Sequence, residues 1–129
     1  GSLLPERVRA AARQQEREFR MSDIEALRAE NEALRQRVED LEIELAEALH
    51  EADLDACHVA GLTAQIKALI AEGDACPDRA AHPLLTRESY IHAQTGETVT
   101  KTRAFPLYRE AFDAEAARLG IESPEQFRA

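Results

Sequence analysis

Apolar side chains recur along this chain in two parallel rows. Counted in sevens, Ile24, Asn31, Val38, Leu45, Ala52, Val59 and Ile66 form one row, and Leu27, Leu34, Leu41, Ala48, Leu62 and Leu69 form another three residues behind. A mean spacing of about 3.5 residues marks the a and d positions of a left-handed coiled coil, and neither row is buried until a second helix arrives. The spacing therefore predicts an oligomerisation helix over 22–73, with Ile24, Leu27, Asn31, Leu34, Val38, Leu41, Leu45, Val59, Leu62, Ile66 and Leu69 as its seam. At 1.5 Å per residue such a helix is a rod of roughly 75 Å. Ser22 and Glu25 stand in capping-box spacing at its head, and Gly73, Asp74 and Pro77 supply the stop.

The polar positions beside the seam carry orientation. Asn31 at an a position can pair with its own copy across a parallel two-fold axis and would lack a partner in most other registers. Glu30 at g faces Arg35 at the next e of the other chain, and Arg37 faces Glu42 in the same way. Both contacts are attractive in a parallel, in-register dimer, although an exposed pair is worth at most about 1 kcal/mol. A parallel homodimer is the expectation. An antiparallel or four-helix arrangement, a tetramer, is the alternative, because Leu49, Ala56 and Ile70 at e widen the apolar stripe in the second half. That width implies that something else packs there. Asp55 at d and Gly61 nearby weaken the seam, so a bend or splay is expected around residues 53–61.

The flanks divide the chain further. Residues 1–21 read as a leader, partly non-native: Gly1-Ser2 resembles a protease scar and Met21-Ser22-Asp23 a natural start. Val8, Ala12 and Phe19 nevertheless lie near one helical face after Pro5, so this segment either extends the helix or folds as a short one. Residues 74–83 read as a linker, and 84–129 as a small α or α+β C-terminal module. Within it, Ser89–Gln94 and Glu97–Arg103 suggest a β-hairpin around Thr95-Gly96, favoured by Thr98-Val99-Thr100; a short helix from Thr86 to Gly96 is the other reading. Phe105–Leu119 is an amphipathic helix stopped by Gly120, and Ser123-Pro124-Glu125 opens a helical stub holding Phe127. The module is too short to bury much alone, so it should fold against its symmetry mate or against the wide stripe from Leu49 to Ile70.

Composition narrows the function classes. Of 129 residues, 32% are charged and 5% aromatic, with no Trp, and the net charge is −9. The charge is uneven: residues 22–73 hold thirteen acidic against four basic side chains, Arg28, Arg35, Arg37 and Lys67. No apolar run approaches the roughly 20 residues needed to span a bilayer, so no membrane association and a cytoplasmic location are expected. The two cysteines, Cys57 and Cys76, are too few for a disulfide framework and read as reduced thiols.

No candidate for chemistry stands out. Cys57, His58, Cys76 and His82 are zinc-type ligands without paired spacing, and Cys57 falls at an outward f position, so they read as unlinked exposed side chains. Ser89 and His92 beside Tyr90 lack an orienting third group. The carboxylates sit on a solvated helix that cannot shift their protonation. No catalytic, cofactor or metal residue is assigned, and an enzyme is not expected.

Ala116–Arg128 resembles the first helix, the turn and the opening of the second helix of a helix-turn-helix, with Gly120 at the turn. The resemblance spans about a dozen residues and departs from the family where Glu122 and Glu125 replace phosphate-facing basic residues. A better basic patch is Arg79, Arg87, Lys101, Arg103 and Arg109, in a stretch whose balance is +3. The opposite surface runs from Arg37 to Lys67, where Glu39, Asp40, Glu42, Glu44, Glu47, Glu51, Asp53 and Asp55 crowd together without a base. The leading reading is a non-enzymatic homodimeric coiled-coil interaction protein, regulatory, adaptor or phage-encoded and host-modulating, that presents its C-terminal module to a protein partner. A DNA-binding regulator using the 79–109 patch is the alternative, and an acidic decoy that mimics nucleic acid is a further one.

Overall fold

A computed structural model describes residues 5–129, and the expectation that Gly1-Ser2 is a vector scar lies outside them. The chain is mainly helical. Helix α1 (Glu6–Ala75) is followed by 3-10 turns at Arg79–Ala81 and Pro83–Leu85, strands β1 (Arg87–Ile91) and β2 (Thr98–Thr102), helix α2 (Phe105–Arg118) and a last 3-10 turn at Pro124–Gln126. Contacts divide the chain into two units, which meet between Ala46 and Glu47. No helix among the described residues is long and apolar enough to cross a membrane.

Helix α1 starts well before the capping box. Pro5 stands immediately ahead of it, and its carbonyl accepts from the amides of Val8 and Arg9 at 2.9 and 3.1 Å, so the leader extends the helix. At the far end Gly73 and Asp74 remain helical and the helix stops at Ala75, where Pro77 lies two residues beyond. Glycine without tertiary strain only weakens a helix, whereas proline cannot continue one. Nor does the helix break at 53–61. In the first unit every described side chain is exposed, and its ion pairs, such as Arg13–Glu6 at 2.7 Å, lie on the surface where they add little.

In the second unit the chain turns back on α1. The hairpin reading of 89–103 is the one that forms: β1 and β2 pair antiparallel, with Tyr90 opposite Val99 and Ile91 opposite Thr98, and the turn closes through Gly96 at φ 72°. β1 starts two residues earlier than the spacing suggested and β2 one residue later, and both are shorter. Just past β1 His92 caps the turn: its Nδ1 accepts from the amides of Gln94 and Thr95 at 3.1 and 3.2 Å, while its own amide donates across the hairpin to Glu97 O at 2.8 Å. Helix α2 begins with Pro106 in its first turn, and it ends in a Schellman-like closure, with Ile121 N–H donating to Ala116 O at 2.8 Å and Gly120 at φ 76°.

The core is small and aromatic. Cys57, Ala104, Phe105, Tyr108, Phe112 and Ala116 are buried, with Leu54, Tyr90, Leu119, Ile121 and Phe127 packed around them. Gly61 permits the close approach: a Cβ there would meet the Tyr108 ring and, at 2.9 Å, the Tyr108 carbonyl oxygen. The chain end is held by a two-point ion pair, Arg128 Nε and Nη2 donating to Asp113 at 2.7 and 2.8 Å, and by Phe127 edge-on to His50 at 5.2 Å.

Candidate functional site

The heptad positions of the packed residues decide which face of α1 does what. Continuing the register from Ile24, Leu54 and Gly61 are at c, Cys57 and Ala64 at f, and His58 and Gln65 at g. The C-terminal module therefore covers the face of α1 that points away from the seam. This corrects two expectations. The module does not use the widened stripe, since Leu49 and Ile70 stay 58% and 60% exposed and Ala56 is exposed too. Cys57, expected outward and solvated, is fully buried beneath Phe112 and Ala116, and burial together with the carboxylate of Glu115 pushes its thiol pKa up.

The seam side chains themselves are uncovered. Ile24, Leu27, Leu34, Val38, Leu41 and Leu45 are between 44% and 63% exposed, and so are Val59, Leu62 and Ile66 in the second unit. Asn31 is exposed in the same row, and Glu30, Arg35, Arg37 and Glu42 flank it, all exposed. Leu69 alone is half-buried, its carbonyl lying 3.5 Å from the Nε2 of buried His82. A lone soluble chain seldom leaves so long an apolar row open to water.

Of the basic patch, one residue is engaged inside the fold and one is paired on its surface. Arg109 lies over the Phe105 ring at 4.5 Å and the Tyr90 ring at 6.0 Å, while its Nη2 donates to Ile91 O and its Nε to Ala129 O at 3.3 Å. One guanidinium thus ties hairpin, helix and chain end together. Arg103 pairs with Glu88 across the hairpin at 3.4 Å. Arg79, Arg87 and Lys101 are exposed and lie on the linker, β1 and β2 respectively. The helix-turn-helix resemblance also ends at Gly120: where a second helix would begin, Ser123 takes φ 51° and the chain makes one 3-10 turn.

Of the zinc-type residues, His58 is engaged with Tyr108, Nδ1 to hydroxyl at 2.6 Å, and it meets Phe112 edge-on at 5.0 Å. Burial raises the Tyr108 pKa, with the Arg128 charge working against it. Ser89 is exposed on β1, and His92 is occupied by its turn. Beside the His58–Tyr108 pair a groove of about 380 Å³ opens between α1 and the module, lined by Leu62, Gln65, Lys101 and Phe105. Gln65 Nε2 donates to Ala104 O at 3.2 Å along its floor. Sequence reasoning missed this arrangement, although Cys57, Gly61, Ala64 and Ala68 form a stripe of small residues on the face behind the seam. Set against known protein families, curated proteins and solved structures, the chain has no match.

Proposed function

We propose that the chain is a non-enzymatic interaction protein: two copies pair along the a/d row of α1, and each presents its C-terminal module to a protein partner. The observation that carries this reading is the separation of faces on one helix. The module occupies c, f and g positions, and the a/d row from Ile24 to Ile66 is left open. Exposed apolar rows rimmed by charge are what an association surface looks like. The charged rim is self-complementary as well. In a parallel, in-register pair, Asp23 faces Arg28, Glu30 faces Arg35 and Arg37 faces Glu42, and no g–e pair brings like charges together.

Ile91, 59% exposed on β1, offers the module an apolar contact point for a partner. A nucleic-acid reading has less to stand on, because Arg103 and Arg109 are already engaged. Sedimentation equilibrium at micromolar concentration should return twice the chain mass of 14.4 kDa. A single-chain mass there would remove the dimer. Recognition is tested by capture from a lysate with the full chain and with Ile91→Asp. Removing 84–129 is the wrong variant, since it would strip the cover from Cys57 and Leu54.

A further inference from the structure

We infer that the groove beside the module is completed by the second copy: Ile70 of one chain seats against Gln65, Lys101 and Phe105 of the other, so that each module grips both helices. The inference rests on the parallel pairing proposed above and names what that pairing does in the second unit. In a parallel coiled coil a g residue faces the e residue five positions on in the other chain. His58 therefore faces Thr63 of the second copy, and Gln65 faces its Ile70.

Both g residues line the groove, which lies on the flank that the other helix would approach. The groove's remaining walls are Leu62, itself a seam residue, and the module's Lys101, Phe105, Tyr108 and Ala129. Packing sets the direction. Ala104 sits at Gln65 and Tyr108 at Gly61, so α2 runs antiparallel to α1, and Phe105 and Lys101 lie toward the Gln65 end. Ile70 arrives at that end, and Thr63 beside the His58–Tyr108 pair.

The chemistry fits the occupant. Ile70 is 60% exposed, apolar, and sits at an e position where two-stranded coils ordinarily carry charge. What it meets is an aromatic ring and the aliphatic stem of a lysine rather than water. The charge pattern supports a second copy over other occupants, since the g–e pairs nearer the N-terminus attract in this register and those at 58–63 and 65–70 carry no opposing charges. Of the residues that widen the stripe, Ile70 then has a seat within a dimer, while Leu49 and Ala56 face Glu44 and Glu51 of the second copy.

The test uses full-length chains carrying Cys76→Ser, with buried Cys57 retained. Gln65→Cys chains are mixed with Ile70→Cys chains, equilibrated and treated with a short bis-maleimide, and Lys101→Cys with Ile70→Cys is run in parallel in case loss of the Gln65 amide disturbs the fold. The expected result is a covalent dimer in both mixtures, at several times the yield from any single variant alone. Twice the chain mass in solution without a mixed cross-link from either pair would overturn the groove and leave the dimer standing. A single-chain mass would overturn both.

Discussion

Gly61 is the residue on which the second unit closes. Its missing side chain lets Tyr108 lie on α1, and the residue is not a point of weakness in the helix. Gly61→Ala would raise intrinsic helix propensity by about 1 kcal/mol, yet the new methyl meets a ring and a backbone oxygen that cannot both retreat. Overpacking of this kind costs about 1–3 kcal/mol. The expected outcome is lower stability, read by thermal melts with tyrosine near-UV signal. Arg128 is comparable: Arg128→Ala leaves Asp113 without its two-point partner and frees the chain end, a loss of about 2 kcal/mol for charged hydrogen bonds of this exposure. Cys57 and Tyr108 give the unit an alkaline limit. Both have folded pKa values raised above their ordinary 9.0 and 10.0, so the unfolded chain ionises first and stability falls as pH rises through that range. The tyrosine near-UV signal should fall as pH rises past 9.0 and then 10.0, and Cys57→Ala, measured against its own neutral-pH stability, should flatten the first part of that loss.

Each element performs a task its residues set locally. The hairpin has only two strands, which alone are marginal in water, and it persists because Tyr90 lies on Phe105 at 5.2 Å and Gln94 Nε2 donates to Gln126 O at 2.8 Å. Helix α1 carries two faces, one covered by the C-terminal module and one exposed. Its seam holds two polar intrusions, Asn31 at a and Asp55 at d, which serve pairing in different ways. Asn31→Val should raise the melting temperature while loosening the oligomer number, since a buried Asn trades stability for register. Asp55→Leu should raise the melting temperature with no change of number, because two carboxylates meeting at one seam level repel. Sedimentation of both variants checks this, and an unchanged mass and melting temperature for Asn31→Val would count against its placement.

At the scale of the whole molecule the proposed stability is inseparable from concentration. If pairing buries the a/d row, the melting temperature rises with protein concentration by mass action. Helicity over residues 5–46, where every side chain is exposed, should then be the most sensitive to dilution. Much of the architecture was legible from one-dimensional pattern: the long helix from its heptads, the hairpin from Thr98-Val99-Thr100 beside Gly96, and α2 from Phe105, Tyr108, Phe112 and Ala116 before Gly120. Local signals mark these elements, so neighbours along the chain suffice. The candidate site was less legible. A basic count could not reveal that Arg109 is consumed by Phe105 and Tyr90, nor a heptad count that an f position could be the most buried place on the helix.

The sequence by itself determined which side of α1 is apolar, where the chain must turn, and that a long helix and a short one flank a segment open to hairpin or helix, because periodicity and turn chemistry act over a few residues. Only the tertiary structure decided that α2 lies on the back of α1, that Cys57 and Gly61 form its seat, and that the groove by Gln65 opens toward the seam. Those choices depend on which small residues let two backbones approach, a property of pairs of surfaces that no single stretch of chain contains.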